Sequence, residues 1–260
     1  MTGRTCVALA AAVLSVLMTA PRIAGQGSPT TSRPAAPPDW SGVYRFARGA
    51  DLAGFTQINP LAGLDKLIIS HLQPWARMKM LATNGVAEDR GAICQMDGLF
   101  RQFQGAAGFQ WLNAGDKIVL ASSMLQVVGV RRIYFSDRHP TRLPFTWLGH
   151  SIARWEGDTL VVDTIGFNDK TWLMSAMQPH TEELHIVERI RAVGDGSLLE
   201  FHTTIEDRKA LTSPYEYSRY YKRTDGEYVE SLCNSEPGDA RMWDGFRRHA
   251  LANPPPPGER

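Results

Sequence analysis

The sequence predicts a mainly β fold: an antiparallel meander forming a β-barrel, lipocalin-like in strand pattern, with a helix near residues 72–90 and a short C-terminal helix. Two observations predict it. From Lys117 to Leu232, β-prone runs alternate with short glycine-containing turns at intervals of about 8 to 12 residues, the rhythm of a meander. The chain also lacks the strand–helix alternation that builds a parallel sheet, and it carries no glycine-rich loop after a strand and no repeat of fixed period. A two-sheet sandwich is the other arrangement the same strands allow.

The elements follow in order. Arg4 precedes an apolar run, Cys6 to Ala20, with small residues at Ala24 and Gly25. That run is short for a membrane span and right for a signal peptide, the alternative being an anchor that stays uncleaved. Residues 1–25 are therefore expected to be removed on export to the periplasm or beyond, and no other segment is apolar enough to span a membrane. Residues 26–38 form a Pro/Ser/Thr linker. One domain, 39–250, should begin at Asp39-Trp40-Ser41-Gly42 with a strand through Val43, Tyr44 and Phe46. Pro74 suits a first helical turn, Trp75, Met78, Leu81 and Ala82 keep helical spacing, and Gly85 interrupts it. Residues 91–110 read as a glycine-rich loop. Strands are expected at Lys117–Ala121 and Leu125–Phe135. Hairpins follow: Ser151–Trp155 with Thr159–Ile165, Leu184–Val193 with Leu198–Glu206, and Tyr215–Tyr221 with Glu227–Leu232 around Asp225-Gly226. Residues 251–260 form a loose tail.

Composition narrows the function. The formal charge is +1 and becomes −1 once Arg4 and Arg22 leave with the signal peptide, so there is no basic surplus for nucleic acid. Cys94 and Cys233 then remain as an even pair in an oxidising compartment, which favours a disulfide over two separate buried thiols. The bridge closes a loop of about 140 residues, worth on the order of 3 to 5 kcal/mol in the chain-entropy model.

The chemistry concentrates between Tyr134 and Arg189, which holds His139, His150, His180 and His185 among the seven histidines of the chain. Strand alternation sorts its side chains. Glu188 shares a face with Leu184, Ile186 and Ile190, while His185 shares the other with Val187, Arg189 and Arg191. Asp163 shares a face with Val161 and Ile165. A carboxylate on a core face needs a cationic partner, and Arg132, Arg154 and Arg189 are available. A histidine beside a carboxylate is a general acid/base near neutral pH. The candidate catalytic groups are therefore His150, His185, Asp163 and Glu188. Tyr134 and Trp147 would line a pocket for a small apolar or aromatic molecule, and Arg154 and Arg189 would stabilise negative charge in it. His185 and Glu188 point to opposite faces of a regular strand, so their convergence needs a bulge or a barrel rim. His180, Glu183 and His185 match no zinc signature, so no metal is expected, and no cofactor. Ser151 is in no nucleophile elbow. Asn168-Asp169 reads as a turn.

The runs RRIYFSDRHP, FTWLGHSIARWEGDTLVVDTIGFNDKTWL and PHTEELHIVERIR resemble a widespread family of exported bacterial proteins of uncharacterised function. The resemblance spans roughly residues 117–233, and Asp39-Trp40-Ser41-Gly42 and Cys94 also fit it. Where relatives often carry a Cys-x-Pro-x-Gly-x-Pro-Arg run, this chain has Cys94-Gln95-Met96-Asp97-Gly98-Leu99-Phe100-Arg101. The resemblance implies export and no reaction. The expected activity is cofactor-independent proton transfer on a small molecule, of isomerase, lyase, hydratase or hydrolase type; the alternative is a periplasmic carrier of the same ligands.

Overall fold

The computed structural model describes residues 38–53, 68–91, 94–103, 108–124, 127–174, 177–227 and 240–253. Eleven strands occur among them: β1 (Gly42–Phe46), β2 (Phe109–Asn113), β3 (Lys117–Met124), β4 (Val127–Phe135), β5 (His150–Glu156), β6 (Thr159–Ile165), β7 (Trp172–Leu173), β8 (Gln178–Pro179), β9 (His185–Val193), β10 (Leu198–Glu206) and β11 (Tyr215–Thr224). Nine of them close a barrel in the order β1-β11-β10-β9-β6-β5-β4-β3-β2, and β7 and β8 pair as a small separate sheet. The helices are α1 (Pro74–Ala82), α2 (Leu99–Phe103) and α3 (Ala240–Ala252).

The barrel is as expected, but it is not a plain meander. β4 and β5 run parallel, with Ile133 opposite Ser151 and Phe135 opposite Ala153. A parallel pair needs a crossover rather than a tight turn, and residues 136–149 supply it. Thr146 straps that crossover down, its N–H donating to the Gly166 carbonyl and its own carbonyl accepting from Asn168 N–H. The second irregularity is the excursion 166–184 between β6 and β9, which carries β7 and β8. Part of the stretch 91–110 read as loop in the sequence is ordered: all five residues of α2 are buried, and the five-residue β2 begins at its end, with Phe109 and Trp111 alternating into the core. The hairpin arm expected at Glu227–Leu232 falls, beyond Glu227, outside the described residues, as do residues 1–37.

Helix α1 is shorter than expected. It starts at Pro74, as anticipated, but Thr83 leaves helical geometry. Asn84 then draws the chain into a turn, its Oδ1 accepting from the N–H groups of Val86 and Ala87. A short polar side chain that bonds its own downstream backbone competes with helix continuation. α3 packs alongside and Arg247 donates to the Thr83 carbonyl, satisfying one of the carbonyls a helix end leaves open.

Register fixes what fills the barrel. Leu160, Val162 and Thr164 of β6 lie opposite Ile190, Glu188 and Ile186 of β9, all facing inward. Trp111, Phe109, Phe201, Leu199 and Tyr221 join them in one buried cluster. A second cluster, from Ile68, Leu72, Ala76, Met80, Leu99 and Phe167 to Ile205, Tyr215 and Tyr217, lies between the helices, the excursion and the strands they cover. Burial of side chains of this size stabilises by roughly 1.5–3 kcal/mol each. The barrel interior is thus occupied by large side chains, unlike the hollow calyx of a lipocalin.

Candidate functional site

Two polar assemblies arise from the 134–189 stretch, one on each face of the barrel wall. The inner one centres on Glu188, fully buried on β9. Its partner is Arg131 of β4, at 2.5 Å, and not Arg132, Arg154 or Arg189 as the sequence suggested. Arg131 also donates through Nε to Ser151 Oγ at 3.1 Å and through Nη2 to Thr164 Oγ1 at 3.0 Å. These three partners sit on adjacent strands at one level of the barrel, so Arg131 ties β4, β5, β6 and β9 together from within. An ion pair this dry braces the fold; its charges have no route to a ligand in the wall's outer face.

The outer assembly holds the other three candidate catalytic residues. Asp163 faces out of the barrel, on the same side as His185, because Asp163 lies opposite Val187 in register. Its Oδ2 accepts from His185 Nε2 at 2.9 Å, and its Oδ1 accepts from His139 Nε2 at 2.8 Å. His139 comes from the crossover, and its Nδ1 lies 2.9 Å from Nδ1 of His150, the first residue of β5. At the other end, His185 Nδ1 lies 3.4 Å from Glu206 Oε2 of β10. Five titratable side chains thus form one continuous line: His150, His139, Asp163, His185, Glu206. Glu188 is not among them: strand alternation puts it through the wall, so the convergence of all four candidate residues is corrected to three. The Asp163 side chain itself is 30% exposed, a surface rather than a core carboxylate.

The electrostatics of the line follow from these bonds. Burial pushes the Asp163 carboxyl up, but the hydrogen bonds from His185 and His139 together outweigh it and hold it below the ordinary carboxylate range. The bond to Asp163 raises the His185 imidazole above its ordinary value against the effect of burial, and Glu206 adds to the rise. His150 moves the other way: burial lowers it, and the charge of His139 lowers it further. Asp163, ionised, only accepts, so Nε2 of His139 carries the proton. With His139 in its neutral form, Nδ1 accepts, which makes His150 an Nδ1–H donor and leaves the His150 Nε2 with a bare lone pair.

His150 is also where the line meets a cavity. A cavity of about 310 Å³ opens at the outer face of β4 and the end of the crossover, lined by Tyr134, Trp147, His150, Val130, Met96 and Arg132 among others. The Tyr134 and His150 rings stack at 5.3 Å with their planes 13° apart. Tyr134 and Trp147 therefore both line this cavity. Arg154 and Arg189 do not: both pair with Glu156, at 2.7 and 2.9 Å, at the far end of β5. His180 is buried, Nε2 to Thr171 Oγ1 at 2.7 Å, and Glu183 pairs with Lys209. Among the described residues no set of three ligating side chains has metal-binding geometry. Asn168 makes the expected turn, its Oδ1 accepting from Lys170 N–H.

The residues sequence reading left out of the site are His139, Glu206 and Arg131. His139-Pro140 was legible as a loop histidine, but only the parallel β4–β5 pair brings its loop back over β6. Glu206 had a signal as well, since the antiparallel hairpin of β9 and β10 sets it opposite His185.

No family model matches the chain, and no curated protein matches it. Among solved structures, the chain is similar to a REP1-NXSQ fatty acid transporter, at 13% identity and a TM-score of 0.30, over 47% of this chain and 73% of that one. A likeness of that size carries no argument about ligand or reaction, and the barrel described above rests on its own strand pairing.

Proposed function

We propose that this protein is an exported enzyme that performs cofactor-independent acid/base chemistry on a small molecule bound in the cavity at Tyr134, Trp147 and His150. The observation that carries the reading is the hydrogen-bonded sequence Asp163–His139–His150, whose last imidazole lines a cavity. His150 removes or supplies the substrate proton through Nε2. Positive charge that arises on His150 is shared with His139 through the Nδ1 contact, and the Asp163 carboxylate lies on the far side of His139 to stabilise it. General acid/base groups placed this way contribute typically about 10² to 10⁴ in rate. His185 and Glu206 are positioning groups that hold Asp163 ionised and in place. The reaction class is an isomerisation, elimination, hydration or hydrolysis.

Turnover of a panel of enolisable ketones, β-hydroxy acids and aryl esters tests the reading. Activity should fall by about 10² or more in His150→Ala and substantially in Asp163→Asn, with both variants folded by circular dichroism. Ligand binding without turnover, unchanged by either substitution, would instead support the carrier reading, which the aromatic lining of the cavity favours.

Export and the disulfide belong to the same proposal. The pairing joins Cys94 to Cys233, and Cys233 lies outside the described residues. N-terminal sequencing of protein from the exporting host should begin near residue 26, and the denatured, unreduced protein should give no free thiol.

A further inference from the structure

We infer that the cavity takes a small planar carboxylate, with Arg132 as the anion-binding residue and the ring of the ligand against Tyr134 and Trp147; this rests on the acid/base reading of the same cavity and names its substrate class. The lining carries two arginines, Arg131 and Arg132, and no acidic side chain. Their charges are not equivalent. Arg131 is turned into the barrel and its charge is balanced by Glu188. Arg132 is exposed, on the opposite face of β4, and it forms no ion pair among the described residues. Four of the five other exposed arginines of the barrel strands do, Arg45 with Asp51, Arg154 and Arg189 with Glu156, and Arg191 with Glu200; the fifth, Arg223, does not line this cavity. Arg132 therefore presents a whole positive charge at a cavity whose other walls are aromatic and apolar.

Position supports the same assignment. Val130, Arg132 and Tyr134 alternate on one face of β4, so Arg132 stands one pleat from Tyr134, whose ring stacks on His150. A guanidinium fork matches a carboxylate bidentately, and the bond is stronger beside low-dielectric walls than in open solvent. A neutral ligand of the same shape fills the apolar half of the cavity and leaves Arg132 unpaired. Ligand charge is thus read at Arg132, ligand shape at Tyr134 and Trp147, and the proton at His150.

Titrations of the full mature protein with benzoate, benzamide and inorganic phosphate, followed by calorimetry and by backbone amide shifts, test this. Benzoate should bind about 10-fold or more tighter than benzamide, the range of one charge-assisted pair, with shifts at Tyr134, Trp147 and His150. Arg132→Gln should bring the ratio to about one, while Arg154→Gln keeps it. A ratio near one in the unsubstituted protein, a ratio unchanged in Arg132→Gln, or phosphate binding as tightly as benzoate would each overturn the proposal. Failure of the acid/base reading looks different: the benzoate preference then persists, and His150→Ala leaves turnover where it was.

Discussion

Asp163 is the residue on which the outer assembly turns, because two imidazoles donate to its two oxygens at once. His185 is raised by its bond to Asp163, and Asp163 is held down by both histidines, so the pair contributes fully between the ordinary carboxylate value of 3.8 and the ordinary imidazole value of 6.5. The contribution is lost as pH falls through the lowered Asp163 value and as pH rises through the raised His185 value. The stability difference between the unsubstituted protein and His185→Gln, from urea unfolding across pH, should therefore be flat inside that window and shrink on the alkaline side; a difference that grows with rising pH contradicts the pairing. Glu188 makes a contrasting case. Removing one member of a buried pair leaves an uncompensated charge, so Glu188→Ala should cost about 3 to 5 kcal/mol and Arg131→Met with Glu188→Leu together much less. Alternation had already put Glu188 and His185 on opposite faces. What it could not supply was the parity of β4 against β5, and so Arg132 stood as a partner where Arg131, one residue earlier, fills the role.

At the scale of elements, the site depends on the crossover between β4 and β5. The sequence showed both strands, yet the fourteen-residue span 136–149 is too long for a hairpin and was the signal that the pair is parallel. That span returns His139 to Asp163 and delivers His150 through Gly149. Gly149 has φ +67°, and a β-carbon there would stand 2.8 Å from the Ile165 carbonyl oxygen and 2.9 Å from the Thr164 methyl. Backbone cannot give way as a flexible side chain does. Gly149→Ala should cost roughly 1 to 3 kcal/mol and displace His150 from His139, seen as loss of the downward shift of His150 in an NMR titration. A full-strength His150 shift in that variant would show that the crossover does not position the ring. Helix α1 fell short of its expected length for a local reason, the turn at Asn84, which the helical spacing of Trp75, Met78, Leu81 and Ala82 did not weigh.

At the scale of the whole molecule, the described residues build a closed barrel whose inside is core and whose outer wall carries the candidate site. The closed topology was legible from repeated hairpins, and the apolar inward faces of β9 and β10 followed from their period; that of β6 did not, since Asp163, read on a core face, faces out. That the site lies outside was not, since a barrel pattern is equally consistent with a hollow interior, and only side-chain size and register decide that Trp111, Phe201, Tyr221 and the Arg131–Glu188 pair fill it. In the proposed mechanism the His150 lone pair is the working end of the line that starts at Glu206. The most direct measurement of that claim is the imidazole tautomer state by long-range ¹⁵N–¹H correlation on histidine-labelled protein near neutral pH. It should find His139 protonated at Nε2 and His150 protonated at Nδ1 with a bare Nε2, and the His150 pattern should be lost in Asp163→Asn. A His150 that carries its proton on Nε2 in the unsubstituted protein would contradict the account.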